Sequence, residues 1–440
     1  MRAAAIAASE DDCVMSSSAS HPVKWKRAGR LRSVMAGALL ALACCGRAQA
    51  VQILVNPGDD WQAKALKARP GDEIVLMPGR HRPGSFDRLC GEMGAPITIR
   101  GATGDKPSII TAQLDGIRVR EGAHLIIKDL QIIGGSASGI WIAAPVKPPD
   151  GTPAPQPAAI GPTSPPAVRT EHASNILIDN VTISKVGPRG QRHGVYLCGF
   201  SDVRIIGVSV EGWGGSAIEL VACNDVAISR CTFKGIKDHS QYCGIRARAG
   251  CDRVAISESR FENAGDIAVC MGGKSTPEEF IPPLGEDTPK DSVFEAARVS
   301  VEQTVIFGGL CPVAMIHAVD CVVRSTTIVR PRRCVLALLS QNADPRLTVS
   351  ARNLFGGNLV VWHAGDVTKL VEMDKTIDPA AFMLETNMWW SNDSPERRNK
   401  LGPLPGSPEM QDQQIFDVDP NLDASLRPTT PAAGSYGADV

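Results

Sequence analysis

No stretch of the 440-residue chain reaches eighteen consecutive apolar residues, which excludes a bilayer-spanning helix. Its 13 cysteines include no paired C-x-x-C, so a structural zinc site has no support. Charge of neither sign dominates, with 46 Lys and Arg against 47 Asp and Glu. Beyond the first fifty residues the balance is 39 basic to 44 acidic. A protein that coats nucleic acid with its whole surface is thereby excluded, and a polyanionic partner would need a local basic patch. Aromatic residues are only 5% of the chain, yet 43% apolar and 21% charged content is globular and excludes disorder and collagen.

The N-terminus has the pattern of an export signal. Lys24, Lys26, Arg27, Arg30 and Arg32 precede an apolar run of twelve from Val34 to Cys45, and Ala48-Gln49-Ala50 is a small-x-small cleavage site. Residues 1–50 are therefore expected to be a signal peptide with an N-terminal extension, and the mature chain to be exported, periplasmic or extracellular. Cleavage before Cys44 or Cys45, giving a lipid-anchored form, is the alternative. Ten cysteines would remain, in a compartment that allows disulfides.

The body repeats itself. A nine-residue phrase recurs as HLIIKDLQI, NILIDNVTI, DVRIIGVSV, DVAISRCTF, RVAISESRF, RVSVEQTVI and DCVVRSTTI. From Ile176 the first strand positions advance by 27, 23, 28, 45 and 22 residues, the spacing of a solenoid. Beside each copy stands a second short alternating segment, such as GIWIA, GVYLC, AIELV and GIRAR. Strands this short cannot bury an apolar face alone and must stack on the next coil. There is no L-x-x-L-x-L phrase of a leucine-rich horseshoe and no sign of the hairpins of a propeller. The expectation is an all-β, right-handed parallel β-helix over residues 51–391. Asp59 and Asp60 before WQAKALKA predict a short N-terminal capping helix. The Pro- and Gly-rich residues 392–440 are expected to form an irregular tail packed on the helix.

Alternation places Tyr196, Glu219, Arg246 and Ala268 outward, with Ile218, Ile245, Ile267 and Val269 inward. Glu219, Arg246 and Arg248 then share one exposed face. Two insertions, VKPPDGTPAPQPAAIGPTSPP after Ile142 and GKSTPEEFIPPLGEDTPKDS after Met271, should leave the same edge and wall a groove. The groove length, four coils at about 4.8 Å each, would suit an oligosaccharide of a few sugars. PRGQRHG, with Arg192 and His193, and KGIKDHSQY, with Lys234, Lys237, Asp238 and His239, supply the local basic patch. A polyuronate lyase must neutralise a carboxylate, remove a proton and protonate a leaving oxygen. Arg246, Arg248, His193, His239 and Lys237 are the catalytic candidates, one arginine serving as base. Tyr196, Glu219, Arg192, Lys234 and Asp238 are the binding candidates. The bland reading is a surface Glu219–Arg246 ion pair above a solvated turn. Asp179, Asp202 and Asp225 are assigned to one recurring turn position. Cys223 and Cys251, one coil apart, are close enough for a disulfide, and Cys231 falls in the core.

GDEIVLMPGRHRPG, APITIRGATGDKPSIITA and DPNLDASLRPTTPAAG resemble the secreted pectin-lyase-like β-helix proteins, nearest the alginate lyase and chondroitinase B group. That resemblance implies the fold, an acidic polysaccharide as partner and, in the enzymes, calcium. In the group a calcium-binding Glu stands five residues before a Lys base, with an Arg on the next coil. At the matching places this chain has Cys243, Arg248 and Cys270, so no metal ligand set is carried over. The leading expectation is uronate β-elimination or epimerisation by a monomer. The alternatives are a non-catalytic polysaccharide-binding or envelope protein and a glycoside hydrolase, for which Glu219 and Asp238 are the nearest carboxylate pair.

Overall fold

The computed structural model describes residues 50–145, 169, 171–393 and 404–439. The export-signal residues and nearly all of the first Pro-rich insertion lie outside them.

The repeating phrases form coils of three strands. One coil runs Asn224–Ser229, Thr232–Lys234 and Cys243–Arg248; the next runs Cys251–Ser257, Arg260–Glu262 and Ile267–Gly272. Each strand pairs in parallel with its counterpart one coil away, giving three faces that we call the first, second and third sheets. Leu125–Ile133 and Ala173–Ser184 run unbroken from the first face to the second, which joins those faces in a 22-stranded sheet. The third is a separate sheet of ten strands.

The corners explain the Asn and Asp punctuation. Asn175, Asp202 and Asp225 take φ of 64°, 55° and 53°, a left-handed conformation that short polar side chains tolerate. Asp179 does not share that position: it lies within the strand opposite Ile206, and Asn175 occupies the corner. Arg253 turns the same corner one coil on with φ 53°, and its guanidinium bonds back to Asp225 at 2.6 Å.

Ile218, Ile245 and Val269 stack inward on adjacent coils, and Phe233 lies 4.7 Å from Phe261. Each fully buried aliphatic side chain contributes roughly 1.5–3 kcal/mol relative to exposure. The inward assignment of Ile267 needs correction. Cys243 opposes Ile267 and Arg246 opposes Cys270, so Cys270, not Ala268, continues the outward row. Ile267 packs in an outer cluster with Cys243 and Cys270, because the strand starts one step before its alternation settles.

Asp60 accepts from the Ala63 amide at the start of the helix Trp61–Ala65. Buried Trp61 donates to Arg82 O at 2.7 Å. Near the other end Trp389 is in the core, while Trp390 packs among Ile415, Val418, Leu422 and Tyr436. Three buried amides of the late coils form a ladder, Asn387 bonding Asn358 and Gln414; Asn358 also accepts from the Thr326 amide, and Asn353 does the same for Cys321 at a separate turn. The ten described cysteines are all thiols; Cys223 N donates to Cys251 Sγ at 3.2 Å, and Cys231 is in the core. No helix among the described residues is long and apolar enough to cross a membrane.

Candidate functional site

The third sheet carries an outward row, one residue per coil: Arg118, Trp141, Tyr196, Glu219, Arg246, Cys270. A pocket of about 430 Å³ opens on this face. Arg118, Trp141, Tyr196, Arg246 and Arg248 form its floor. The turns from the second sheet supply Asp115, Ser138, Gln191, Arg192 and His193 along one side. Lys274 and Glu279, from the segment after Gly272, close the other.

Glu219 lies beneath the floor and is fully buried, at 0% exposure. Its carboxylate accepts Ser216 Oγ at 2.7 Å, Arg246 Nε at 2.8 and 3.0 Å, and Arg248 Nε at 2.7 Å. Burial alone would raise its pKa, but Arg246, His193 and Arg248 outweigh that and hold it at about 2. The exposed ion pair of the bland reading is therefore replaced by a buried anion under two cations. Arg246 also donates from Nη2 to Gln191 Oε1 at 3.0 Å. Arg248 donates from Nη1 to Ser275 Oγ at 3.2 Å and Glu279 Oε2 at 2.6 Å. Arg246 Nη1 and Arg248 Nη2 have no protein acceptor among the described residues. Burial works against both guanidinium charges, but Glu219 overrides it and raises both pKa values. Glu219 thus holds both arginines protonated, which counts against the expectation that one of them serves as base.

His193 is buried, and burial pushes its pKa down to about 4 despite Glu219 at 3.8 Å. Its Nδ1 accepts the Ser216 amide at 3.1 Å, so the neutral ring carries its proton on Nε2 and is a donor there. Burial raises the Tyr196 hydroxyl well above its usual range, keeping it protonated. Trp141 and Tyr196 stack with ring centroids 5.4 Å apart and planes 1° from parallel. The Arg118 guanidinium covers Trp141, 4.4 Å from its ring. Trp141 is thus occupied by Tyr196 and Arg118, so its faces are not a platform for sugar rings.

Of the residues singled out in the sequence, Arg192, His193, Tyr196, Glu219, Arg246 and Arg248 meet here. Lys234, Lys237, Asp238 and His239 do not line the pocket. Lys234 belongs to the second sheet, exposed between Glu211 and Glu262 of the neighbouring coils. Lys237 and Asp238 are exposed in the turn that follows, and both ring nitrogens of His239 are buried without a partner. Glu219 and Asp238 consequently form no acid pair. Sequence reasoning missed Asp115, Arg118, Ser138, Trp141, Gln191, Lys274 and Glu279. The signal for two of them was present: GIRVREG at 116–122 parallels GIRARAG at 244–250, and GIWIA parallels GVYLC.

The residues do not fit a calcium ion. The carboxylates that line the pocket or lie under its floor are taken by arginine: Asp115 by Arg118, Glu219 by Arg246 and Arg248, Glu279 by Arg248. Among the described residues no group of three or more His, Cys, Asp or Glu is placed to hold a metal.

Residues 166–278 match the family model described as a right handed beta helix region. The parallel three-strand coils in the described part of this segment agree with that description. The segment contains the Tyr196, Glu219, Arg246 and Arg248 strands of the site. A comparison with curated proteins finds no match. Among solved structures, the β-helix is similar to the PL6 family alginate lyase AlyGC, at 14% identity and TM-score 0.48, covering 88% of this chain and 56% of that one. The chain thus spans little more than half the length of that enzyme. It is similar to pectate lyase Pel9A at 11% identity and TM-score 0.48, covering 88% and 96%. It is similar to the PL6 family polysaccharide lyase Pedsa3628 from Pseudopedobacter saltans at 12% identity and TM-score 0.48, also covering 88% and 96%.

Proposed function

We propose that this protein is an exported β-helix that acts on acidic polysaccharide by binding a uronate carboxylate in the third-sheet pocket, without cleaving the chain. The observation that carries this reading is the pair of arginines on Glu219. Their inner edges are fixed, while Arg246 Nη1 and Arg248 Nη2 remain for a ligand at the pocket they line. A carboxylate there would gain charge-assisted hydrogen bonds from groups already ordered, so little freedom is lost on binding. Arg118, Arg192 and Lys274 add positive charge around it.

β-Elimination and epimerisation, the leading expectations from sequence, both require a base. Arg246 and Arg248 are held protonated, the His193 ring offers a donor, and Tyr196 keeps its proton. Asp115 and Glu279 are each engaged by an arginine. Apart from the Lys274 amine, the described lining is furnished with donors and offers no unengaged base, which favours binding over lysis.

The test is retention on immobilised alginate, pectate and chondroitin, together with the ultraviolet absorbance of unsaturated uronate product in solution. Retention that is lost in Arg246→Ala, with no absorbance rise, is the expected result. A sustained rise abolished by Arg246→Ala or His193→Ala would replace binding with β-elimination. Retention of none of these polymers would remove the acidic-polysaccharide reading altogether.

A further inference from the structure

Glu295 lies behind the pocket wall, fully buried at 0% exposure, and forms no ion pair among the described residues. An ionised carboxylate in such a place is costly unless donors surround it. Four do. Oε1 accepts the Ser275 amide at 2.7 Å and Asn342 Nδ2 at 3.2 Å. Oε2 accepts Ser275 Oγ at 2.6 Å and the Ala249 amide at 3.0 Å.

These partners come from different parts of the coil. Ala249 follows Arg248 directly, while Ser275 lies between Lys274 and Glu279 in the segment that delivers both to the pocket. Asn342 also donates to Ser275 O at 3.0 Å. The Ser275 hydroxyl gives its proton to Glu295 and so presents its lone pairs to Arg248 Nη1. The segment has little freedom of its own at its root. Gly272 turns with φ 96°, and a side chain there would meet Ile316 O at 1.8 Å and Glu295 Cβ at 3.1 Å.

We propose that Glu295 is a positioning residue of this site, acting through Ser275 to hold the Lys274–Glu279 wall against Arg248 and so to set the carboxylate-binding geometry. The proposal rests on the reading of the pocket as a uronate site. Glu295 touches no pocket-lining side chain directly; it fixes the segment from which Glu279 reaches Arg248 and on which Lys274 stands. Without it, the hydroxyl that Arg248 meets loses its orientation, and the wall loses the two bonds that tie Ser275 to Glu295, keeping only the one from Asn342 to Ser275 O.

Binding of alginate and pectate, each beside its esterified neutral form, tests this in the full chain. Glu295→Gln keeps the shape but places an amide where a second acceptor is needed. Ser275→Ala removes only the hydroxyl link and keeps the backbone donation, so it tests the same link with less risk to folding. Both are expected to bind the carboxylated polymer about tenfold more weakly, the loss of one charge-assisted hydrogen bond, while binding of the neutral form is unchanged. Ser275→Thr, which restores a hydroxyl, is expected to recover the difference. Wild-type selectivity in folded Ser275→Ala overturns the proposal, as does equal weakening on charged and neutral polymers. If wild-type protein binds neither acidic polymer, the pocket reading itself fails and the inference falls with it.

Discussion

Acid should unfold this protein in two stages written into one buried pair. Glu219, held at about 2 against 4.5 for a free side chain, has its folded pKa below its unfolded one. Its contribution is therefore complete above about 4.5 and is lost as the pH falls through about 2, on the order of 3 kcal/mol in all. His193 is held at about 4 against 6.5, so on acidification the unfolded chain takes up its proton first. That penalises the fold between about 6.5 and 4, again by on the order of 3 kcal/mol. The two windows overlap between about 4.5 and 4, and stability should fall continuously from neutrality toward pH 2. Replacing Glu219 separates them. Glu219→Gln leaves two buried guanidinium groups facing each other and should lose about 3–5 kcal/mol at pH 7. Below about pH 4.5 its stability should no longer carry the Glu219 loss, while the histidine stage persists and, without Glu219 to support the charged ring, reaches to lower pH. Urea unfolding midpoints measured at closely spaced pH on both proteins would show this, because urea leaves ionic strength unchanged. With His193→Gln added to both proteins, a parallel loss of stability between pH 4.5 and 2 refutes the buried-anion account.

Other outcomes follow from the same structure. His193→Gln should remove the upper stage and leave the lower one, read in the same urea series. Asn387 accepts from Asn358 and donates to Phe355 O, Glu385 O and Gln414. Asn387→Ala strands those groups and should cost roughly 2–4 kcal/mol, visible as a lowered unfolding midpoint. Burial pushes the Cys223 and Cys321 thiols up to about 12 and Cys231 up to about 11. Burial raises the Cys90 thiol too, and the Cys311 hydrogen bond lowers Cys334, so exposure sets the order. In the native chain from Val51 a thiol reagent should find half-buried Cys90 before the nine buried ones, and all ten after denaturation. A smaller denatured count would mean that a disulfide, such as Cys223–Cys251, has formed.

The architecture was legible because a solenoid repeats its own evidence: seven phrases with apolar alternation, four of them with Asn or Asp at the corner, leave few ways to bury the same face. The outward row Tyr196–Glu219–Arg246 could be read the same way, since strand period fixes side and coil order fixes neighbours. Alternation gives side but not depth, so Glu219 read as exposed although the two arginines above it close it off from water. It also fails where a strand begins off register, as at Ile267. The wall residues were not legible for another reason. Asp115, Gln191, Lys274 and Glu279 stand in turns, whose direction no periodicity records, and the charge-rich KGIKDHSQY drew attention to a turn that the pocket does not use.

The stack of Arg118, Trp141 and Tyr196 gives the protein a built-in optical gauge. Trp61, Trp213, Trp362 and Trp389 are sealed in the interior and should emit alike whether the pocket is filled or empty. Trp141 is the indole that lines the pocket, pressed between a cation and a phenol ring. A carboxylate drawn toward Arg118 would shift the field across that indole and, with it, the colour and intensity of its emission. Occupancy could then be followed in the unlabelled protein, with Trp141→Phe as the dark control.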